Sequence, residues 1–363
     1  MTTALVDVSP LFPTPITDNH ACLSMSIAPN GKWAVLLLAE QSQQTAKVSC
    51  VAVDTDSGLS FCVDLAPILN EKRDPLSVYC FDKMRIALLM AAVNSEENDR
   101  VYLCLFVKDL SLENDSNYKW TPFEDVHLRQ RALAGGTDCQ SKSKLFRVGA
   151  CGEELAIETY DVADGTATQK IIKLSDIDVH ECAYYDNKMY MLEMEDDGYH
   201  VMLDRLVVVF SDDSFEFQSI KPDPTHGYPA GLQNYLMGQA ESDLYFLSSS
   251  AVSAHNDFNL WNLNFQNLTW HKRLVRFACC ALDVHKFSCV WYGKGYVLGR
   301  CTNHDSVRIH FYQFFFALPT LQILALEAVR NLAWNAMRKE SKKNVSWILK
   351  ELGMAEKLTE LLF

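Results

Sequence analysis

A turn signal followed by a short apolar run recurs six times along the chain, and this recurrence limits the fold more than any other feature. Asn30-Gly31 precedes Trp33 to Ala39, Asp82-Lys83 precedes Met84 to Met90, and Gly152 precedes Glu154 to Thr159. Asp186-Asn187 then precedes Lys188 to Met194, Ser242-Asp243 precedes Leu244 to Leu247, and Gly293 to Gly295 precedes Tyr296 to Leu298. Asn-Gly, Asp-Asn and Gly-x-Gly supply the positive φ angles of tight hairpins, so each signal reads as the turn into the next antiparallel strand. The matched positions Val35, Ile86, Ala156, Tyr190, Tyr245 and Tyr296 recur on average about every 52 residues, although the individual steps are uneven.

That mean spacing is close to the length of a kelch-type propeller blade. Aromatic residues close several of the units: Phe61 within Leu59 to Leu65, Trp120 before Pro122, Phe217 before Ile220 and Trp270 before Leu274. In a β-propeller this position lies on the outermost strand, where a large ring covers the gap to the next blade. The segment Leu260 to Leu274, with Trp261 and Trp270, resembles the last two strands of a kelch blade. The paired glycine of kelch repeats is missing from the units, since Gly135-Gly136 falls in a linker-like stretch, and no unit carries a full Gly-His to Trp-Asp signature. The expectation is a mainly β chain: a degenerate kelch/WD-like β-propeller over residues 18–316, six blades favoured over seven, with two stacked β-sandwiches as the competing architecture. Because an open ring leaves two unpaired edges, Leu5 to Val8 within the N-terminal segment 1–17, or the aromatic run Phe311 to Phe316, is expected to complete a shared terminal blade.

Composition supports one sizeable core. The chain has 363 residues, 48% of them apolar and 22% charged, a balance that argues against disorder. Twelve cysteines are scattered, mostly in strand-like runs such as Val48 to Val53 and Val101 to Phe106, and form no CxxC pair, so they are expected to be buried free thiols rather than a disulfide framework or a zinc site. No basic segment leads into an apolar one at the start, and no apolar run is long enough to span a bilayer, which points to a cytoplasmic or nuclear location. The net charge is -13. Positions 1 to 319 hold 26 basic and 41 acidic residues, against seven and five in positions 320 to 363. Such a surface disfavours nucleic acid and anionic membrane and attracts basic partners. The run containing Glu195, Asp196 and Asp197 is one candidate substrate-binding patch, with solubility as the plainer explanation.

The last segment changes character. Pro319-Thr320 opens a run in which Leu321, Leu324, Ala325, Ala328, Val329, Leu332 and Ala336 recur at helical spacing, while Gln322, Glu327 and Arg330 lie off that face. After the polar turn Arg338 to Lys343, Asn344 is a suitable N-cap for a second helix with Val345, Ile348, Leu349 and Leu352 on its apolar face, and Gly353 suits its end. Leu358, Leu361 and Leu362 mark a third short helix. Three short amphipathic helices have no core of their own and must pack on something else.

The order Thr320, Leu321, Ala325, Val329 resembles the elongin-C-binding BC box of SOCS-box proteins, and Thr320 to Leu332 is similar to the von Hippel–Lindau type of that helix. The family usually has cysteine at the small position held here by Ala325. The resemblance implies a SOCS box over residues 317–363, with elongin C, accompanied by elongin B, bound by Thr320, Leu321, Leu324, Ala325, Ala328, Val329 and Leu332. The Leu-Pro-x-Pro mark of cullin-5 selection is absent, whereas residues 344–353 look like a cullin-2 box. Val345, Trp347, Ile348, Leu349 and Leu352 would then contact cullin-2 and its RING subunit. A propeller followed by a BC box also resembles SOCS-box receptors that deliver CCCH zinc-finger proteins for degradation, which implies a basic CCCH zinc-finger substrate.

Catalytic signatures are poor. There is no Walker-type phosphate loop, no His-Glu-x-x-His and no Gly-x-Ser-x-Gly elbow. His180, His255 and His285 fall in what read as blade linkers, and Cys279, Cys280 and Cys289 read as strand core. No cofactor or metal is expected. The expected function is a non-catalytic substrate receptor of a cullin-RING ubiquitin ligase. The alternative is a propeller scaffold, or a divergent propeller hydrolase, whose terminal helices only pack on the ring.

Overall fold

The computed structural model describes residues 2–7, 20–28, 31, 33–41, 46–55, 60–69, 73–81, 85–94, 100–109, 120–122, 137–151, 153–173, 179–196, 201–212, 214–229, 235–240, 242–249, 257–276, 282–290, 294–303 and 306–315. These residues form six four-stranded antiparallel sheets. The first blade is built from β2 (His20–Ile27), β3 (Trp33–Gln41), β4 (Ala46–Asp54) and β5 (Ser60–Val63); the second from β6 (Arg73–Phe81), β7 (Arg85–Asn94), β8 (Arg100–Asp109) and β9 (Thr121–Pro122). Blade 3 comprises β10 (Thr137–Ser141), β11 (Lys144–Cys151), β12 (Glu154–Asp161) and β13 (Thr166–Lys173); blade 4 comprises β14 (Val179–Tyr185), β15 (Lys188–Asp196), β16 (Val201–Val209) and β17 (Phe215–Ser219). Blade 5 holds β18 (Leu236–Ala240), β19 (Asp243–Ser249), β20 (Asp257–Asn264) and β21 (Thr269–Arg276). The sixth blade joins both ends of the ring: β22 (Leu282–Val290), β23 (Lys294–Asn303) and β24 (Ser306–Phe315) are completed on the outside by β1 (Thr2–Asp7). The fold is a six-bladed β-propeller.

Six hydrophobic clusters hold the ring, one at each junction between neighbouring blades. Side chains alternate across a strand, so a strand sandwiched between two blades buries both of its faces and reads as an unbroken apolar run. In β3, Val35 and Leu37 pack with Val78, Ile86 and Leu88 of blade 2, while Leu36 and Leu38 pack with Tyr296, Leu298 and Phe311 of blade 6. The same alternation sends Ile86, Leu88 and Met90 one way and Ala87 and Leu89 the other. The contact of blade 1 with blade 6 closes the ring through its core as well as through β1.

Two of the hairpin turns follow their sequence signals, and the first turn of blade 3 does not. Gly31 has φ 66°, and Asp186 and Asn187 have φ 49° and 57°, as their signals imply. In blade 3, however, the turn into the second strand is Lys142-Ser143, where Lys142 itself takes φ 51°. Gly152 therefore precedes β12, the third strand, and Ala156 is not equivalent to Val35.

Closure comes from β1, which pairs antiparallel with β24 from Thr2 opposite Phe314 to Asp7 opposite His310. Of the two stretches expected to close the ring, Leu5 to Asp7 and Phe311 to Phe315 both belong to that one sheet, and Val8 and Phe316 lie outside the described residues. The whole expected SOCS box lies outside the described residues.

Candidate functional site

The first strand of each blade lines the centre of the ring, and its inner edge has no strand partner. Its outward amides and carbonyls must be satisfied by other means. Side chains of neighbouring blades do this. The Val78 amide donates to Ser24 Oγ at 3.1 Å and the Cys80 amide to Ser26 Oγ at 2.9 Å, which ties blade 2 to blade 1. Gln140 of blade 3 donates through Nε2 to the Cys80 carbonyl at 2.6 Å and accepts from Ser26 Oγ at 3.2 Å, spanning three blades. Gln239, at the same position of the equally short β18, does the corresponding work between blades 5 and 4.

A charged network lies beside this belt, across blades 2 to 5. Asp138 on β10 accepts from Arg147 Nη1 at 2.7 Å and from the Tyr79 hydroxyl at 2.9 Å. Glu158 on β12 accepts from the Tyr160 hydroxyl at 3.0 Å and from Gln169 Nε2 at 3.2 Å. Glu181 on β14 accepts from the Tyr235 hydroxyl at 3.0 Å and from Thr137 Oγ1 at 3.1 Å, so it joins blades 3, 4 and 5. Burial raises the pKa of all three carboxyls, and the donors beside them only partly offset it. Burial likewise pushes the Tyr79 hydroxyl well above its usual range, and the Asp138 charge adds to the effect.

Shifted carboxyls in the centre of a propeller are the kind of group that marks an active site. Here both oxygens of Asp138 and both of Glu181 accept a hydrogen bond from a neighbouring side chain. These bonds make Asp138 and Glu181 cross-links between neighbouring blades.

The sequence-derived candidates fare differently. Glu195 and Asp196 lie at the end of β15, opposite Met202 and Val201 at the hairpin into β16; Asp197 lies outside the described residues. Thr320, Leu321, Leu324, Ala325, Ala328, Val329, Leu332, Val345, Trp347, Ile348, Leu349 and Leu352 also lie outside them. His180 and His285 are not in linkers: each sits on an innermost strand, at a register shift between Val179 and Glu181 and between Val284 and Lys286. Cys22, Cys50, Cys80, Cys139 and Cys182 are buried, and burial raises the thiol pKa of Cys22 and Cys50 to about 12, which makes them poor nucleophiles. Among the described residues no group of three or more His, Cys, Asp or Glu is placed to hold a metal ion.

Two surface features were not foreseen. The acidic excess is concentrated: residues 137–219, blades 3 and 4, hold eighteen acidic and seven basic side chains, whereas residues 235–315 hold five and seven. The outer-strand aromatics also divide. Trp120 and Trp270 seal blade junctions at 7% and 0% exposure, but Phe215 and Phe217 on β17 stand 38% and 44% exposed. Phe61, on β5, is likewise exposed rather than sealing a gap.

No protein-family model matches the chain, and no curated protein matches it. Among solved structures, it is similar to the β-propeller domain of the Trilobed protease from Pyrococcus furiosus, described as having an open velcro topology. That likeness has 10% identity and a TM-score of 0.48, and covers 84% of this chain and 98% of that one. It is also similar to the phage phi92 endosialidase, with 11% identity and a TM-score of 0.45, over 84% of this chain and 69% of that one.

Proposed function

We propose that this propeller is a non-catalytic recognition module, the substrate-binding subunit of a cullin-RING ubiquitin ligase of the elongin B/C and cullin-2 type. The observation that carries the reading is the order Thr320, Leu321, Ala325, Val329, which begins five residues after the last strand ends at Phe315. Two structural features are compatible with it. The ring is completed by β1 and β24, so no blade draws a strand from beyond Phe315 among the described residues. The central carboxylates are engaged as cross-links, which suits binding better than bond cleavage. On this reading the tail docks on elongin C, cullin-2 and its RING subunit complete the ligase, and the propeller recruits a protein target for proteasomal degradation. A basic CCCH zinc-finger protein suits the acidic blades.

The test is capture of elongin C by the full chain and by Leu321→Ser. Removing the leading aliphatic anchor is expected to cost on the order of 2 to 4 kcal/mol of binding, with the β-dominated circular dichroism unchanged. Equal capture by the two proteins overturns the docking assignment and leaves a propeller scaffold.

A further inference from the structure

We propose that the outer face of blade 4, where Phe215 and Phe217 stand side by side, is a docking surface for an extended, arginine-bearing segment of a partner protein. The inference rests on the propeller being a binding module, and is independent of the elongin-binding tail.

In blades 2 and 5 a large ring at the outer strand seals a junction, as Trp120 and Trp270 do, whereas β5 leaves the single ring of Phe61 exposed. β17 goes further: it presents two phenylalanines to solvent, their centroids 6.0 Å apart at 87°. Residues two apart share a strand face, and their partners Val209 and Val207 belong to the cluster between blades 3 and 4, so both rings are turned toward blade 3. Exposed rings cost hydration free energy that an internal junction would have recovered.

The chemistry of the occupant follows from what already touches the rings. The Arg205 guanidinium lies 3.8 Å from the centre of the Phe217 ring and pairs with Glu193 at 3.3 Å. Carboxylate, guanidinium and ring thus already form one stack on this face, with Phe215 at its open end. The Lys170 ammonium donates to the Phe210 carbonyl at 2.8 Å. The surrounding blades 3 and 4 carry a net charge of -11 from their eighteen acidic and seven basic residues. An aromatic pair inside a negative field attracts cations in general, and guanidinium stacks on a ring face better than ammonium does.

The experiment measures fluorescence anisotropy of labelled octa-arginine and octa-lysine peptides with the full chain in about 0.15 M salt, where long-range charge effects are largely screened. Octa-arginine is expected to bind several-fold more tightly, since a guanidinium stacks on an exposed ring face better than an ammonium does, with Phe215 as the open ring beside the Arg205–Phe217 stack. The double variants Phe215→Ser/Phe217→Ser and Phe215→Leu/Phe217→Leu should both bring octa-arginine down to the octa-lysine level without moving the thermal midpoint. Elongin C capture by these variants should be unchanged, which separates this surface from the tail. Equal binding of the two peptides by the unmodified chain, or a preference for arginine that survives both double variants, overturns the proposal.

Discussion

The side chain of Gln239 lies against the backbone of Tyr184 as a strand would. Its Nε2 donates to the Tyr184 carbonyl at 2.7 Å, and its Oε1 accepts from the Tyr184 amide at 3.3 Å. One carboxamide thus replaces a peptide unit along an edge that no strand can reach. Gln140 repeats half of this arrangement between blades 3 and 2, and gives its other half to Ser26.

Gln239→Ala leaves that amide and carbonyl without their partner, and should destabilise the propeller by about 1 to 3 kcal/mol. Chemical denaturation read by tryptophan fluorescence checks it. A midpoint equal to that of the unmodified chain would mean that water replaces the glutamine without cost.

A second constraint acts in the closing blade. Gly295 sits opposite Phe314 across β23 and β24, and a Cβ at this position would lie 2.6 Å from the ring atom Cε1, well inside van der Waals contact. Phe314 is 1% exposed and packs against Phe287, so the ring has little room to yield. Gly295→Ala should cost about 1 to 3 kcal/mol through overpacking. Adding Phe314→Leu in the same chain should recover part of that loss, as a double-mutant cycle of melting curves would show.

The buried carboxyls give a pH dependence of definite sign. Glu181 and Asp138 have folded pKa values raised above their ordinary 4.5 and 3.8, with burial the leading cause. A carboxyl shifted upward contributes stability that is complete below its unfolded pKa and is lost as the pH rises through the folded value. Asp223 behaves oppositely. Burial opposes its ionisation, but the amides of Thr225, His226 and Lys272 and the His226 ring outweigh it and lower the pKa to about 2. Its contribution is present above pH 3.8 and is lost as the pH falls toward 2. Glu181→Gln should therefore flatten the decline in stability above pH 4.5 and leave the acid limb unchanged. Urea midpoints across a pH series decide this, and an unaltered slope above pH 4.5 would remove Glu181 as a source of it.

The second strands were legible because both of their faces are buried, which leaves continuous runs such as Val35-Leu36-Leu37-Leu38 and Ile86-Ala87-Leu88-Leu89-Met90. Blade 3 was misaligned by one strand because its first turn uses Lys142 at positive φ, with no Gly or Asn to announce it. Shifting the matched position from Ala156 to Phe146 on β11 makes the blade spacing more even. The central network left no sequence signal. Tyr79, Asp138, Glu181 and Tyr235 come from four separate stretches, and only the register of each inner strand brings them together. The exposed rings of β17 were visible as aromatics, but whether an outer ring seals a junction depends on the neighbouring blade, which no local pattern encodes.

β1 supplies the outermost strand of blade 6, and without it the outer edge of β24 from His310 to Phe314 would be unpaired. Exposed edges of this length recruit other strands. Deleting residues 1–7 should lower the thermal midpoint and produce concentration-dependent association in light scattering. Deleting residues 316–363 should leave a single cooperative transition, because the six sheets are complete by Phe315. A chain lacking residues 1–7 that stays monomeric with an unchanged melt would show that the hydrophobic junction of blades 1 and 6, with Leu36, Leu38, Tyr296 and Phe311 at its centre, closes the ring by itself.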